Sequence, residues 1–293
     1  MLNFLIDGVD VISKLPFFYY PLIFVIGLLV GSFLNVVIFR TPKILEQNFK
    51  EECCDLLEVK NEPQDKISLA YPPSKCGHCG TTIKPWHNIP VISYLLLKGK
   101  CSYCQAKIGI RYPLVEFATA VLSIITIHLL GFSTEGLLAL LLLWFLISLT
   151  MIDIDTYLLP DHLTLSLLWL GLLINSVGIY TDIFSAIWGA AAGYLCLWSI
   201  FWLFKWLTGK EGMGYGDFKL LAALGAWMGW QFLPLIILLS SFVGAVIGIA
   251  GILILGRDKN IPIPFGPYLA IAGWIAFLWG DALIHYYFQF LAL

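Results

Sequence analysis

The feature that most constrains this chain is the succession of long apolar segments running through most of its 293 residues. A helix needs about 20 mainly apolar residues to cross roughly 30 Å of hydrocarbon. Segments of that kind lie near Tyr20–Phe39, Pro113–Leu130, Glu135–Ile152, Leu159–Ile179, Ile183–Leu207, Phe218–Trp230, Phe232–Leu255 and Pro267–Leu293. The sixth is short, and the break around Gly229-Trp230-Gln231-Phe232 is the least sharply marked boundary. In lipid every backbone N–H and C=O must be satisfied internally, and these runs are too long and too continuously apolar for barrel strands. The expected fold class is therefore an all-α polytopic membrane protein with about eight transmembrane helices. Composition agrees, because only 12% of the residues are charged and 59% are hydrophobic. Soluble domains carry about 25% charged residues, so this chain lacks the polar surface to coat a water-facing body.

Charge placement then suggests an orientation. The polar stretch from Arg40 to Arg111 is too hydrophilic for lipid and holds 11 of the 17 Lys and Arg residues. Positive charge accumulates on the cytoplasmic side, which puts this insert inside and the N-terminus outside. Threading eight spans from there puts Lys205, Lys210, Lys219, Arg257 and Lys259 inside as well, and only Lys14 outside. The start of the chain carries Asp7 and Asp10 and lacks an A-x-A-like end to its apolar run, so it reads as the lead-in to a retained span. Three parts follow: residues 1–39 with the first span, the insert 40–112, and a helical membrane bundle 113–293. The partner on every side is the lipid bilayer. The net charge of −2 is uninformative about nucleic acid, and no nucleic-acid partner is expected.

Seven cysteines are present, an odd number that argues against a complete disulfide framework. Four form the pairs Cys76-Gly-His-Cys79 and Cys101-Ser-Tyr-Cys104. Two such pairs supply four thiolates for a tetrahedral ion, a pattern that reads as structural zinc. A reducing cytoplasmic insert favours zinc over disulfides. His78 and His87 are substitute ligands in principle, though four thiolates already close the site. A closed site has no open position for catalysis, and a small Pro-rich insert is the kind of domain that needs a metal staple. Cys53, Cys54 and Cys196 read as unremarkable thiols.

Acidic residues at span ends carry the chemistry. The third span ends in Met151-Ile-Asp153-Ile-Asp155, followed by Pro160-Asp161, and the sixth is preceded by Gly212-Met-Gly214-Tyr-Gly216-Asp217. Ionisable residues in spans are costly and default to function. The topology brings both groups to the inner face, where two sequence-distant carboxylates can meet between helices. Such a pair shares a proton, so that one carboxyl activates water while the other donates to a carbonyl. Residues two apart on a helix point about 200° apart, so Asp153 and Asp155 cannot both face one partner. Asp153, which continues the apolar helix, is favoured, and Asp161 is expected to cap the next helix. The glycines before Asp217 are expected to give backbone freedom and close approach.

These residues resemble the bacterial type IV prepilin peptidases, the leader peptidase/N-methyltransferases of the GxGD-type intramembrane aspartyl peptidases. The resemblance covers nearly the whole chain: Gly31-Ser-Phe-Leu-Asn35 through Arg40, the two cysteine pairs, Asp153 through Asp161, Gly214-Tyr-Gly-Asp217-Phe-Lys219, and Pro262-Ile-Pro-Phe-Gly-Pro-Tyr268. It implies an endopeptidase that removes the basic leader of prepilins and pseudopilins, typically between Gly and Phe, with Asp153 and Asp217 as the catalytic pair. It also implies methylation of the new N-terminus with S-adenosylmethionine, in support of type IV pilus assembly or type II secretion. The residues that bind this methyl donor are not indicated, since no glycine-rich strand–helix fingerprint occurs. Gly31–Asn35 is open to two readings, small-residue helix packing or part of a substrate groove. A transporter would place its ionisable groups near the bilayer midplane, and a zinc hydrolase needs an open coordination position. Neither pattern occurs here.

Overall fold

The structure, a computed structural model, describes residues 15–59, 66–255 and 263–291. Asp7, Asp10, Lys14, Arg257, Lys259 and Pro262 of the sequence reading lie outside them. Eight long helices follow in order: α1 Pro16–Leu56, α2 Arg111–Leu130, α3 Thr134–Thr156, α4 Asp161–Asn175, α5 Ile183–Thr208, α6 Tyr215–Met228, α7 Leu233–Leu255 and α8 Gly266–Leu291. Among the described residues the only β structure is two isolated antiparallel bridges. Six of the helices are long and apolar enough to cross a membrane, which makes the chain a polytopic membrane protein. The other two, α4 and α6, have 15 and 14 residues. At 1.5 Å per residue α6 reaches only about 21 Å, short of a bilayer core. The expected break after it is present, since Gly229 takes φ 86° and a single 3-10 turn, Trp230–Phe232, leads into α7.

The chain forms two compact units, residues 1–144 and 145–293. In the first, α1 lies against α2 through glycines one turn apart. A Cβ on Gly27 would sit 2.6 Å from the Ala120 Cα, and one on Gly31 would sit 2.7 Å from the Glu116 Cα. This is the small-xxx-small contact that lets helix backbones approach closely in lipid. Tyr20 and His128 add a 2.9 Å hydrogen bond along the same seam. Beyond Phe39 the helix does not stop. It passes through Thr41-Pro42 and continues to Leu56, so the insert begins as an extension of the first span.

In the second unit α6 is central, enclosed by α5, α4 and α8, with every residue from Leu220 to Met228 buried. Gly189 and Gly225 meet backbone to backbone where α5 crosses α6, and Gly171 makes room for the Trp227 ring. The last carbonyls of a helix lack partners within it. Here Asn175 supplies them, donating to the Ala226 and Trp227 oxygens at 2.8 and 2.9 Å. The same side chain accepts from the Tyr180 and Thr181 N–H groups. Trp227 donates in turn to the Leu167 carbonyl. A short helix end inside a membrane protein is thus satisfied without water.

Candidate active site and metal centre

Asp153 sits in the last turn of α3, which ends where Tyr157 adopts φ 56°. Its residue is 5% exposed, whereas Asp155 points to the exposed side, as the 200° rotation between them requires. One carboxylate oxygen, Oδ2, accepts the Gly266 N–H at 3.0 Å. Gly266 is the first residue of α8, so the carboxylate faces the positive end of that helix dipole. Asp217 occupies the third position of α6 and is 6% exposed. Its Oδ2 accepts the Gly214 N–H at 3.2 Å, closing the reciprocal half of a capping box. Among the described residues neither carboxylate makes another hydrogen bond, which leaves each Oδ1 available. Both carboxylates are brought to the same neighbour, since Gly266, beside Asp153 Oδ2, and Gly216, next to Asp217 in sequence, each pack against Leu159.

The glycines work differently from the expectation of backbone freedom. Gly212, Gly214 and Gly216 all avoid the left-handed region. Gly216 instead permits close approach, because a Cβ there would come 2.6 Å from the Leu159 Cβ. The Leu159 side chain also lies 3.1 Å from where a Gly266 Cβ would stand. It therefore fills the space between the two aspartate-bearing segments.

Asp161 departs from its expected role. The N-cap position of α4 belongs to Pro160, with no side-chain cap, and Asp161 is the first helical residue. Its carboxylate pairs with Lys219 at 2.5 Å, tying the start of α4 to the start of α6. The pair is well exposed on the aspartate side, so it fixes register more than it adds stability.

The four cysteines converge in the first unit. All four sulfurs lie within 4.8 Å of one another, and Cys76 and Cys104 are 3.8 Å apart. Tetrahedral zinc with bonds of about 2.3 Å needs sulfurs roughly 3.8 Å apart, so the cluster fits such an ion. Each pair is held by the same hairpin. The Cys76 N–H bonds the Thr81 carbonyl and the Gly80 N–H returns to Cys76, while the Cys101 N–H bonds Ala106 and Gln105 returns to Cys101. The left-handed position falls on Gly80 in one and Gln105 in the other, whereas Gly77 needs no special conformation. The Thr81 hydroxyl and N–H beside Cys79 pull its thiol down to about 6. Backbone N–H groups of Cys104 and Tyr103 likewise lower Cys101. Both effects favour the thiolate that a metal needs. His87 is turned away, with Nδ1 3.2 Å from the Ser102 hydroxyl.

Two residues escaped the sequence reading. Gly266 lies in the Pro-Phe-Gly-Pro run, and a glycine between prolines at a helix start was the available signal. Glu116 was the other. It is a carboxylate one turn into the second apolar segment, 8% exposed, and the rule that ionisable residues in spans default to function would have selected it. Its Oε2 accepts the Val91 N–H at 2.8 Å.

The sequence matches the bacterial peptidase A24 N-terminal domain over residues 25–130 and the type IV leader peptidase family over residues 140–249. The chain belongs to the type IV leader peptidase family. Among curated relatives of the family, the prepilin leader peptidase/N-methyltransferase of Pseudomonas aeruginosa is 56% identical over 277 residues, covering 92% of this chain and 96% of the relative. That of Stutzerimonas stutzeri is 53% identical over 286 residues, covering 97% and 99%, and that of Legionella pneumophila is 46% identical over 277 residues, covering 94% and 96%. No solved structure matches the chain. Both family regions hold a cluster described above: the first contains the four cysteines and Glu116, the second Asp153 and Asp217.

Proposed function

We propose that this member of the leader peptidase family is a membrane aspartyl endopeptidase that removes the leader of type IV prepilins and pseudopilins, and an N-methyltransferase acting on the new N-terminal residue, usually Phe. The observation that carries the peptidase half is the pair of buried carboxylates, Asp153 and Asp217, each oriented by one backbone N–H at a helix start, with both segments packed against Leu159.

Two carboxyl groups so placed share one proton. The ionised one takes a proton from a water molecule, whose oxygen attacks the scissile carbonyl carbon. The protonated one donates to the carbonyl oxygen, giving a neutral gem-diol. Collapse of that species breaks the C–N bond as a proton passes to the leaving nitrogen, which restores the shared-proton state. The backbone N–H groups of Gly266 and Gly214 keep both Oδ2 atoms fixed throughout, so reaction proceeds at Oδ1 without reorganising the helices. An apolar cavity of about 320 Å³ borders Phe265, next to Gly266, with Leu197, Ile237 and Tyr268 on its wall. Its chemistry suits the apolar segment that follows a prepilin leader.

The insert 40–112 is read as cytoplasmic and the N-terminus as periplasmic, in the inner membrane, on the strength of the Lys and Arg distribution. Cys76, Cys79, Cys101 and Cys104 hold zinc as a structural ion, and S-adenosylmethionine is the methyl donor. Metal analysis should return about one zinc per chain. Because the metal substitutes for a hydrophobic core in this insert, a strong chelator is expected to abolish amide-exchange protection across residues 75–108 and to leave that of α6 intact. Retained protection after the metal has gone would refute a structural role.

The function is tested by incubating the purified protein in detergent with a prepilin and S-adenosylmethionine. Release of the leader and gain of one methyl group on the mature N-terminus are the expected products. An intact prepilin after prolonged incubation with folded protein would overturn the proposal.

A further inference from the structure

Leu159 lies in the short segment between α3 and α4 and is half-buried. A Cβ on Gly216, the residue before Asp217, would come 2.6 Å from the Leu159 Cβ. One on Gly266, whose N–H holds Asp153, would come 3.1 Å from the Leu159 Cδ1. The leucine thus meets bare backbone beside each carboxylate. The same Gly266 position is 2.6 Å from the Asp153 Oδ2, so the leucine methyl and the carboxylate border one small space. The surroundings also give a peptide its direction. Met213 and Phe265, the residues just before the N–H donors Gly214 and Gly266, wall the cavity of about 320 Å³, and none of its wall residues is charged. That side suits the apolar stretch after the cut, and Leu159 is not part of it. Around Leu159 the chain is polar instead, with exposed Asp155 before it and exposed Asp161 after it, the latter paired with Lys219. This net negative side suits a basic leader, which sets the residue before the cut against Leu159.

We infer that Leu159 sets the size of the residue that can precede the cut, by filling the space its side chain would need. The inference rests on the peptidase half of the proposed function and adds to it a residue that determines selectivity. A peptide being cleaved presents its scissile carbonyl to both carboxyl groups, and the α-carbon before that carbonyl is bonded directly to the reacting carbon. Any side chain on it is therefore carried into the space beside the dyad. With the leucine already packed against Gly216 and Gly266, an added methyl or larger group has to displace it. Overpacking of this kind is resisted in a close-packed site, and a built-in clash is an effective way to reject a wrong partner. A residue with no side chain at all passes freely. Leu159 has no titratable group and takes no part in the proton transfers, so its effect is confined to which peptide can reach the carboxylates.

The test exchanges size between enzyme and substrate, using the full-length protein in detergent and one prepilin made with Gly, Ala or Val before the cut. Leu159→Ala removes as many carbons as a valine side chain contains, and Leu159→Val removes as many as an alanine side chain contains. The wild type should favour the Gly form over the Val form by about a hundredfold in kcat/KM, the scale of discrimination that a pocket of fixed size supplies. Leu159→Ala should raise the Val-to-Gly ratio at least about tenfold, and Leu159→Val should do the same for the Ala-to-Gly ratio. A dyad that is merely loosened slows all three substrates together and leaves both ratios at the wild-type values. Unchanged ratios would overturn the assignment, and if Leu159→Ala does not fold, the milder Leu159→Val decides alone. A wild type that cleaves the Val form as fast as the Gly form would also overturn it, with the peptidase reading intact. A wild type that cleaves none of the three would instead remove the peptidase reading itself, and this assignment with it.

Discussion

Replacing Asp153 or Asp217 by asparagine is expected to lower leader removal by about a thousandfold, within the range that positioned acid–base groups contribute. Asparagine is nearly isosteric, and its amide oxygen can still accept the Gly266 or Gly214 N–H, so the helix starts that hold each residue should persist. What disappears is the shared proton. An amide can neither take a proton from water nor give one to the carbonyl oxygen at the required step. The two variants should be about equally impaired, because the dyad acts as a unit, and the double variant should be no worse than either single one. Methylation of a synthetic mature N-terminus should continue in both variants, since a free terminal amine loses its proton near neutral pH without help from the dyad. The paired assay, cleavage of a prepilin and methyl incorporation into a pre-cleaved peptide, reads both outcomes. Loss of both activities in folded variants would show that the two reactions depend on one site.

Gly266→Ala should be almost as damaging to cleavage while leaving the fold intact. A Cβ at this position would stand 2.6 Å from Asp153 Oδ2 and 3.1 Å from Leu159 Cδ1. Either the carboxylate or the start of α8 must move, and a displacement of about 1 Å is enough to cost a hundredfold in a positioned reaction. Stability argues the other way. Gly266 lies at the start of a 26-residue helix without a left-handed φ, so alanine needs no forbidden backbone conformation there. The expected result is therefore a fall of about a hundredfold in kcat with thermal stability unchanged. Unaltered cleavage would mean that Asp153 is not positioned through this backbone contact.

Residues whose physical cost is written in one dimension were legible in the sequence. The apolar runs located all eight long helices, and the two cysteine pairs announced a four-cysteine cluster by spacing alone. A carboxylate at the end of an apolar segment is conspicuous, so Asp153 and Asp217 could be picked out as the buried ones, and helical periodicity separated buried Asp153 from exposed Asp155. Contacts between distant segments were not legible. Nothing local says that Asp161 meets Lys219 rather than capping α4, because both arrangements satisfy a carboxylate at a helix start. The role of Gly266 depends on a residue 113 positions away. Segment lengths were also blurred. Hydropathy sees that α4 and α6 are apolar, but their short lengths follow from Pro160, Gly214 and Gly229 at the ends and from neighbours that wrap them. In α1 the opposite happened, since polarity rises after Phe39 while the helix itself runs on through Pro42.

The enclosure of α6 by α5, α4 and α8 bears on how this enzyme tolerates different membranes. A helix of 14 residues facing acyl chains would force the bilayer to thin around it, and its tilt would then follow chain length and sterol content. Because α6 meets only protein along its buried stretch, hydrophobic mismatch falls on the longer helices that surround it. Asp217 is carried at a depth set by side-chain packing, and its alignment is insulated from changes in lipid composition with temperature or growth phase.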